Sequence, residues 1–192
     1  MAALKKRGHM GYKYELTDET RYGLKRLIIT TDNAETLGGF VNNLDNVSGN
    51  AMVSGEAEVY GDAEVYGNAE VYGNARVYGN AMVYGNAMVT DEAEVRGNAV
   101  VTDEAMVYGN AVVRGNSKIE KNSDYLVIGP IGSRDDFITF TNSDDGILVT
   151  VGCFHGTLAE FKEKVKQTHG DNKHAKAYLL ACDLAEWRIA GA

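Results

Sequence analysis

Proline is almost missing from this 192-residue chain: Pro130 stands alone against 22 glycines. Such a ratio suits a protein of many tight turns. Cysteine is nearly as scarce. Cys153 and Cys182 are too few for a disulfide framework at this length, and both are expected as reduced, buried thiols of a cytosolic protein, one on a strand and one on a helix. No apolar run approaches transmembrane length, and the opening Met-Ala-Ala-Leu-Lys-Lys-Arg is followed by polar residues. A cytoplasmic protein with no membrane partner and no secretory leader is therefore expected. Histidine is also thinly spread. Gly8-His9-Met10 reads as a cloning remnant with the natural start at Met10, which leaves no histidine until His155.

A basic stripe is missing too. The net charge is −8. Residues 1–40 hold seven Lys and Arg against five Asp and Glu, residues 41–119 four against eleven, and residues 120–192 eight against eleven. An acidic middle is a poor electrostatic partner for nucleic acid, which is excluded as a ligand class.

What the chain does have is a repeat. An apolar β-branched residue recurs every six positions: Val41, Val47, Val53, Val59, Val65, Val71, Val77, Val83, Val89, Val95, Val101, Val107, Val113 and Ile119. A small residue, most often Ala, precedes most of them by two positions and usually follows Gly-Asn, so the unit reads Val-Tyr-Gly-Asn-Ala-x. The pattern predicts short strands that point Val inward, corners at Gly-Asn because both residues tolerate positive φ, and Ala where a corner leaves little room. These hexads resemble the left-handed parallel β-helix, a triangular prism with three hexads per coil. Fourteen hexads then give four to five coils, spaced like neighbouring strands.

Residues eighteen apart stack on one face, which sorts the outward side chains into three walls. One is charged, with Glu58, Arg76 and Glu94 alternating in sign. The second presents Tyr66, Met82, Tyr84 and Val100, and the third Tyr72, Met88, Met106 and Tyr108. These eight residues are the candidate oligomer interface, and a homotrimer packed along its prisms is the first expectation, with a dimer next. The plainer alternative is that Tyr and Thr are good strand formers and the ladders bind nothing.

Hexapeptide acyl- and nucleotidyltransferases share this repeat, but they use a His on or near the prism and loops inserted between coils. This array has neither. Its departures are the corners Thr90-Asp91-Glu92 and Thr102-Asp103-Glu104, whose two isolated acidic pairs supply too few ligands for a hard cation. No metal, cofactor or catalytic residue is assigned.

The ends differ in composition. Tyr12 to Leu27 alternates as a strand pair and is expected to cap the first coil, with residues 1–36 forming that N-terminal cap and 37–119 the array. Residues 120–192 read as a small α+β module. Tyr125-Leu-Val-Ile is a strand, Gly129 to Arg134 a loop, Asp136–Thr141 and Ile147–Phe154 a hairpin. Two helices follow, the first capped by Thr157 with Glu160, the second capped by Asp171 or Asn172 and running to Arg188.

Taken together, Tyr12-Lys-Tyr-Glu-Leu, Leu37-Gly-Gly-Phe, the Val-Tyr-Gly-Asn-Ala array, and the tail segments IGPIGSR, GCFHGTLAEF and THGDNKHAKAYL resemble a family of phage and prophage hexapeptide-repeat proteins. The resemblance implies phage origin and expression in a bacterial cytoplasm, and carries over no catalytic residues. The tail supplies the candidate ligand-binding residues Gly132, Ser133, Arg134, His155 and Thr157: a turn with free N–H groups, a hydroxyl and a guanidinium, near a helix start that favours an anion. Cys153 and His155, two apart on a strand, fall on one face but lack the third group a nucleophile needs. His169 and His174 read as surface residues at helix ends. The leading expectation is a non-enzymatic oligomeric scaffold whose tail binds a host protein or a small phosphorylated ligand, as a sponge for nucleotide signals of host immunity. A hexapeptide-type transferase and a purely structural assembly protein are the alternatives.

Overall fold

The computed structural model describes the backbone of Lys5–Arg7 and residues 12–191. Gly8-His9-Met10 and the expected start at Met10 lie outside the described residues. The valine period becomes a three-sided parallel solenoid with a register of eighteen residues. Val59, Val77, Val95 and Val113 pair along one side, Val65, Val83, Val101 and Ile119 along the second, and Val53, Val71, Val89 and Val107 along the third. All of these side chains are fully buried, as are the alanines beside them. Burying a valine contributes about 1.5 kcal/mol or more, so the core is a long sum of equal small terms.

The corners explain the glycines. From Gly49 to Gly115 the corner glycines adopt φ between 66° and 76°, and a β-carbon on Gly67 would meet the Gly85 backbone nitrogen at 3.1 Å. Asp91 and Asp103 take the same left-handed conformation at φ of 60° and 56°, which Asp tolerates better than most residues. The asparagines differ from the expectation. They are not left-handed. Instead their side chains stack from coil to coil, Asn50 to Asn68 to Asn86 at 3.2 and 3.1 Å, and Asn80 to Asn98 to Asn116 at 3.1 and 3.3 Å. On the charged side Arg76 lies 3.6 Å from Glu58 and 4.0 Å from Glu94. Tyr60 stacks on Tyr78, and Tyr66 on Tyr84, each with ring centres 4.8 Å apart, the coil spacing itself.

Outside the strand pairs themselves, the ladder bonds run forward: Met52 N–H donates to Ala69 C=O, and Val100 N–H to Ser117 C=O. This set leaves carbonyls without donors at the first coil and N–H groups without acceptors at the last. The N-terminal strands Lys13–Arg21 and Leu24–Thr30 meet the first coil with donors. Buried Tyr14 donates its hydroxyl to Gly49 C=O at 3.0 Å and Ala51 C=O at 2.9 Å. Arg26 donates to Gly55 C=O at 2.9 Å, and Asn46 Nδ2 to Gly61 and Ala63 at 3.0 and 2.8 Å. These strands, with Glu35–Val41, also extend the charged side into one eight-stranded sheet. The expected division at residues 36 and 37 falls inside the strand Glu35–Val41.

The C-terminal module meets the last coil with acceptors, one on each side. Met106 N–H donates to Asn122 Oδ1 at 2.8 Å, Val112 N–H to Thr139 Oγ1 at 3.0 Å, and Lys118 N–H to Asn142 C=O at 2.8 Å. The module is a four-stranded antiparallel sheet, Tyr125–Ile131, Asp136–Thr141, Leu148–Val151 and Phe154–Thr157, backed by α1 (Leu158–His169) and α2 (Lys173–Ala185). Strand alternation gives the sheet two unlike faces. Ile138, Phe140 and Val149 are buried against the helices. Thr139 and Thr141 turn toward the solenoid.

Several boundaries depart from the sequence reading. The first strand runs on to Ile131, with a bulge between Ile128 and Ile131 that accommodates Pro130, which has no N–H to donate. The stretch expected as one return strand, Ile147–Phe154, breaks at Gly152, whose φ of 53° makes the turn into a fourth strand. Asn172 is the cap of α2, its Oδ1 accepting from His174 and Ala175 N–H. That helix ends at Ala185 and continues as a wider π-helical turn, Glu186–Ala190, instead of running to Arg188.

Candidate functional site

The break at Gly152 moves the tail's polar residues apart. Thr157 pairs with Leu148, and Leu148 with Thr141, at one end of the sheet, while the Gly132–Asp135 turn is at the other. Five residues of strand, about 17 Å, separate these ends. Thr157 is fully used as a helix cap. Its N–H and hydroxyl both donate to Glu160 Oε2, at 2.8 and 2.9 Å, and those bonds hold the Glu160 carboxyl below its usual pKa. The helix start already has its anion. Ser133, Arg134 and Thr157 are therefore not brought together.

His155 faces the solenoid. Its Nε2 lies where a side chain on Gly115 would stand, and its Nδ1 is 3.1 Å from Thr150 Oγ1. Burial, and then the Arg114 guanidinium, push its pKa below the ordinary histidine value. Cys153 is not on its face: it occupies the turn beside Gly152 and is exposed, so the expectation of a buried strand thiol fails there, while Cys182 is buried within α2. Burial pushes the Cys182 thiol up to about 12.

What the fold does assemble is a cleft of about 180 Å³ between the sheet edge and the helices. Phe154, Phe161 and Val165 form an apolar floor, with Phe154 and Phe161 ring centres 5.2 Å apart and Tyr178 edge-on to Phe161 at 5.5 Å. Ser133 and Arg134 from the turn, and Lys164, Thr168 and His169 of α1, also line it. Asp136 is the carboxylate among them. Gly132 packs against the Tyr178 hydroxyl. Burial, with the nearby Asp136 carboxylate, raises the Tyr178 pKa, so the hydroxyl stays protonated. Two cations and a histidine against one carboxylate, beside aromatic rings, suit a small anion with an apolar body. Among the described residues no group of three or more His, Cys, Asp and Glu gathers as metal ligands, and no helix is long and apolar enough to cross a membrane.

Lys164, Thr168 and His169 were missed by sequence reasoning, His169 having been set aside as a surface residue. Their signal was the spacing 161, 164, 165, 168 and 169, one face of a helix that begins at a recognised cap. Of the eight candidate interface residues, Met82, Met106 and Tyr108 are exposed at 37%, 39% and 53%. Tyr66, Tyr72, Tyr84, Met88 and Val100 are half-buried by their coil neighbours. The Tyr72 hydroxyl rests 3.0 Å from Met88 Sδ.

The beta solenoid repeat model of the YdcK family matches residues 69–85 and 75–89. This is a β-solenoid repeat protein. The matched stretch lies within the array and reaches neither cap nor cleft. No curated protein and no solved structure matches the chain.

Proposed function

We propose that the solenoid is a non-enzymatic platform that brings copies of the chain together, and that the cleft of the C-terminal module holds a small phosphorylated ligand. The observation that carries this reading is that Arg134 and Lys164 both line one cleft with Phe154, Phe161 and Val165. The exposed Met82, Met106 and Tyr108 supply the surface for packing along the prism, as a homotrimer first and a dimer second. With the resemblance to phage repeat proteins, the ligand is a nucleotide-type signal of bacterial immunity, sequestered in the host cytoplasm and released unchanged.

Titration calorimetry with a panel of cyclic and ADP-ribose-derived nucleotides tests the ligand. Stoichiometric binding without turnover is expected, abolished by Arg134→Ala and by Lys164→Ala while the circular dichroism of the solenoid is kept. No heat with any phosphorylated compound would sink the reading. Native mass spectrometry of Met82→Glu and Met106→Glu tests the platform, with a shift from oligomer to monomer expected.

A further inference from the structure

The cleft does not end at Asp136. A second depression of about 320 Å³ opens between the charged side of the last coils and the edge of the C-terminal sheet, and Asp136, Val151 and Gly152 line both. Gly152 adjoins both: a β-carbon built there would be in ordinary contact with Asp136 Oδ2 at 3.5 Å and Arg134 Nη1 at 3.7 Å, and its φ of 53° is a conformation that favours glycine.

The two depressions differ in chemistry. The first carries Arg134, Lys164 and His169; the second carries Glu92, Glu94, Arg96 and Asn110, with Phe137 as its aromatic wall. Phe137 is 36% exposed on a strand whose next residue, Ile138, is fully buried. Its ring is seated against the Gly129 backbone, where any side chain would come within 2.5 Å of Phe137 Cδ1. One ring face is thus fixed before any ligand arrives, which lowers the ordering cost of stacking on the other. Carboxylates accept from vicinal hydroxyls, a guanidinium and an amide donate back, and an aromatic wall takes the apolar face of a ring.

We infer that the bound molecule is a phosphorylated sugar laid across Gly152, with its phosphate between Arg134 and Lys164 and its hydroxyl-bearing ring against Phe137 beside Glu94 and Asp136. This rests on the reading of the first cleft as an anion site.

Titrations of the full chain with ribose 5-phosphate, inorganic phosphate and ribose separate the two claims. Ribose 5-phosphate is expected to bind about tenfold or more tighter than phosphate, a difference of about 1.4 kcal/mol. Phe137→Ala should bring it down to the phosphate level without changing phosphate binding, Phe137→Tyr should restore it, and Lys164→Ala should weaken both, with folding checked by circular dichroism. Equal affinity for the sugar phosphate and phosphate overturns the sugar groove and leaves the anion cleft standing. A tenfold preference untouched by Phe137→Ala overturns the ring's placement. Binding of neither removes the anion cleft and this inference together.

Discussion

The two ends of the solenoid close the same ladder with opposite chemistry. At the first coil, side-chain donors reach carbonyls: Tyr14, Arg26 and Asn46. At the last, acceptors reach N–H groups: Asn122, Thr139 and the Asn142 carbonyl. The ends also differ in what they bury. The N-terminal cap adds the fully buried Tyr14, with Leu27 and Ile29, to the solenoid core, whereas the C-terminal module adds Tyr125 beside its threonines and frees the other sheet face to hold helices and a cleft.

Mutating each cap should expose that difference. The largest loss is expected for Tyr14→Ala, about 3–5 kcal/mol from the cavity and the abandoned carbonyls, read as a fall in urea midpoint. Tyr14→Phe keeps the ring and strands two acceptors, so about 1–3 kcal/mol is expected; a smaller change than for Thr139→Val would refute the deeper reliance on the N-terminal cap. Thr139→Val, which removes one acceptor at a partly buried N–H, should cost about 1 kcal/mol.

Mild acid should act at the C-terminal cap. The His155 pKa is depressed when folded, by burial and by Arg114, and Thr150 is its hydrogen-bonding neighbour. The unfolded chain therefore binds the proton more tightly, so this contribution to stability is present above the ordinary histidine pKa of 6.5 and is lost as pH falls below it. His155→Gln should flatten the dependence of melting temperature on pH in that window, and an unchanged slope would contradict it. The smallest effect is expected between the ends: Asn68→Ala breaks two exposed ladder bonds and should cost about 0.5 kcal/mol or less by thermal melting.

The array was legible because its information is local. Val at every sixth residue, Gly at most corners and Ala before most strands state their environments within one hexad, and the capping box at Thr157 and the Asn172 cap are equally short-range. The asparagine ladders were not, since their partners are eighteen residues away. The anion cradle expected from Ser133, Arg134 and Thr157 failed for one local reason: a glycine turn at Gly152 split a strand that alternation alone would continue. The cleft that replaced it draws on the Ser133–Asp136 turn, the Gly152–Phe154 turn, α1 and Tyr178 of α2, and no spacing rule joins such segments.

By itself the sequence determined the solenoid, its register and its three sides, one charged and two bearing Met and Tyr, because a period of six with an inward valine buries that valine in every coil. Tertiary structure decided how the ladder's orphan groups are satisfied, which tail residues meet, and that His169 joins Arg134 while His155 turns away. Those outcomes depend on which face of a four-stranded sheet each residue occupies, and that is fixed only when Thr139 and its neighbours dock on the last coil.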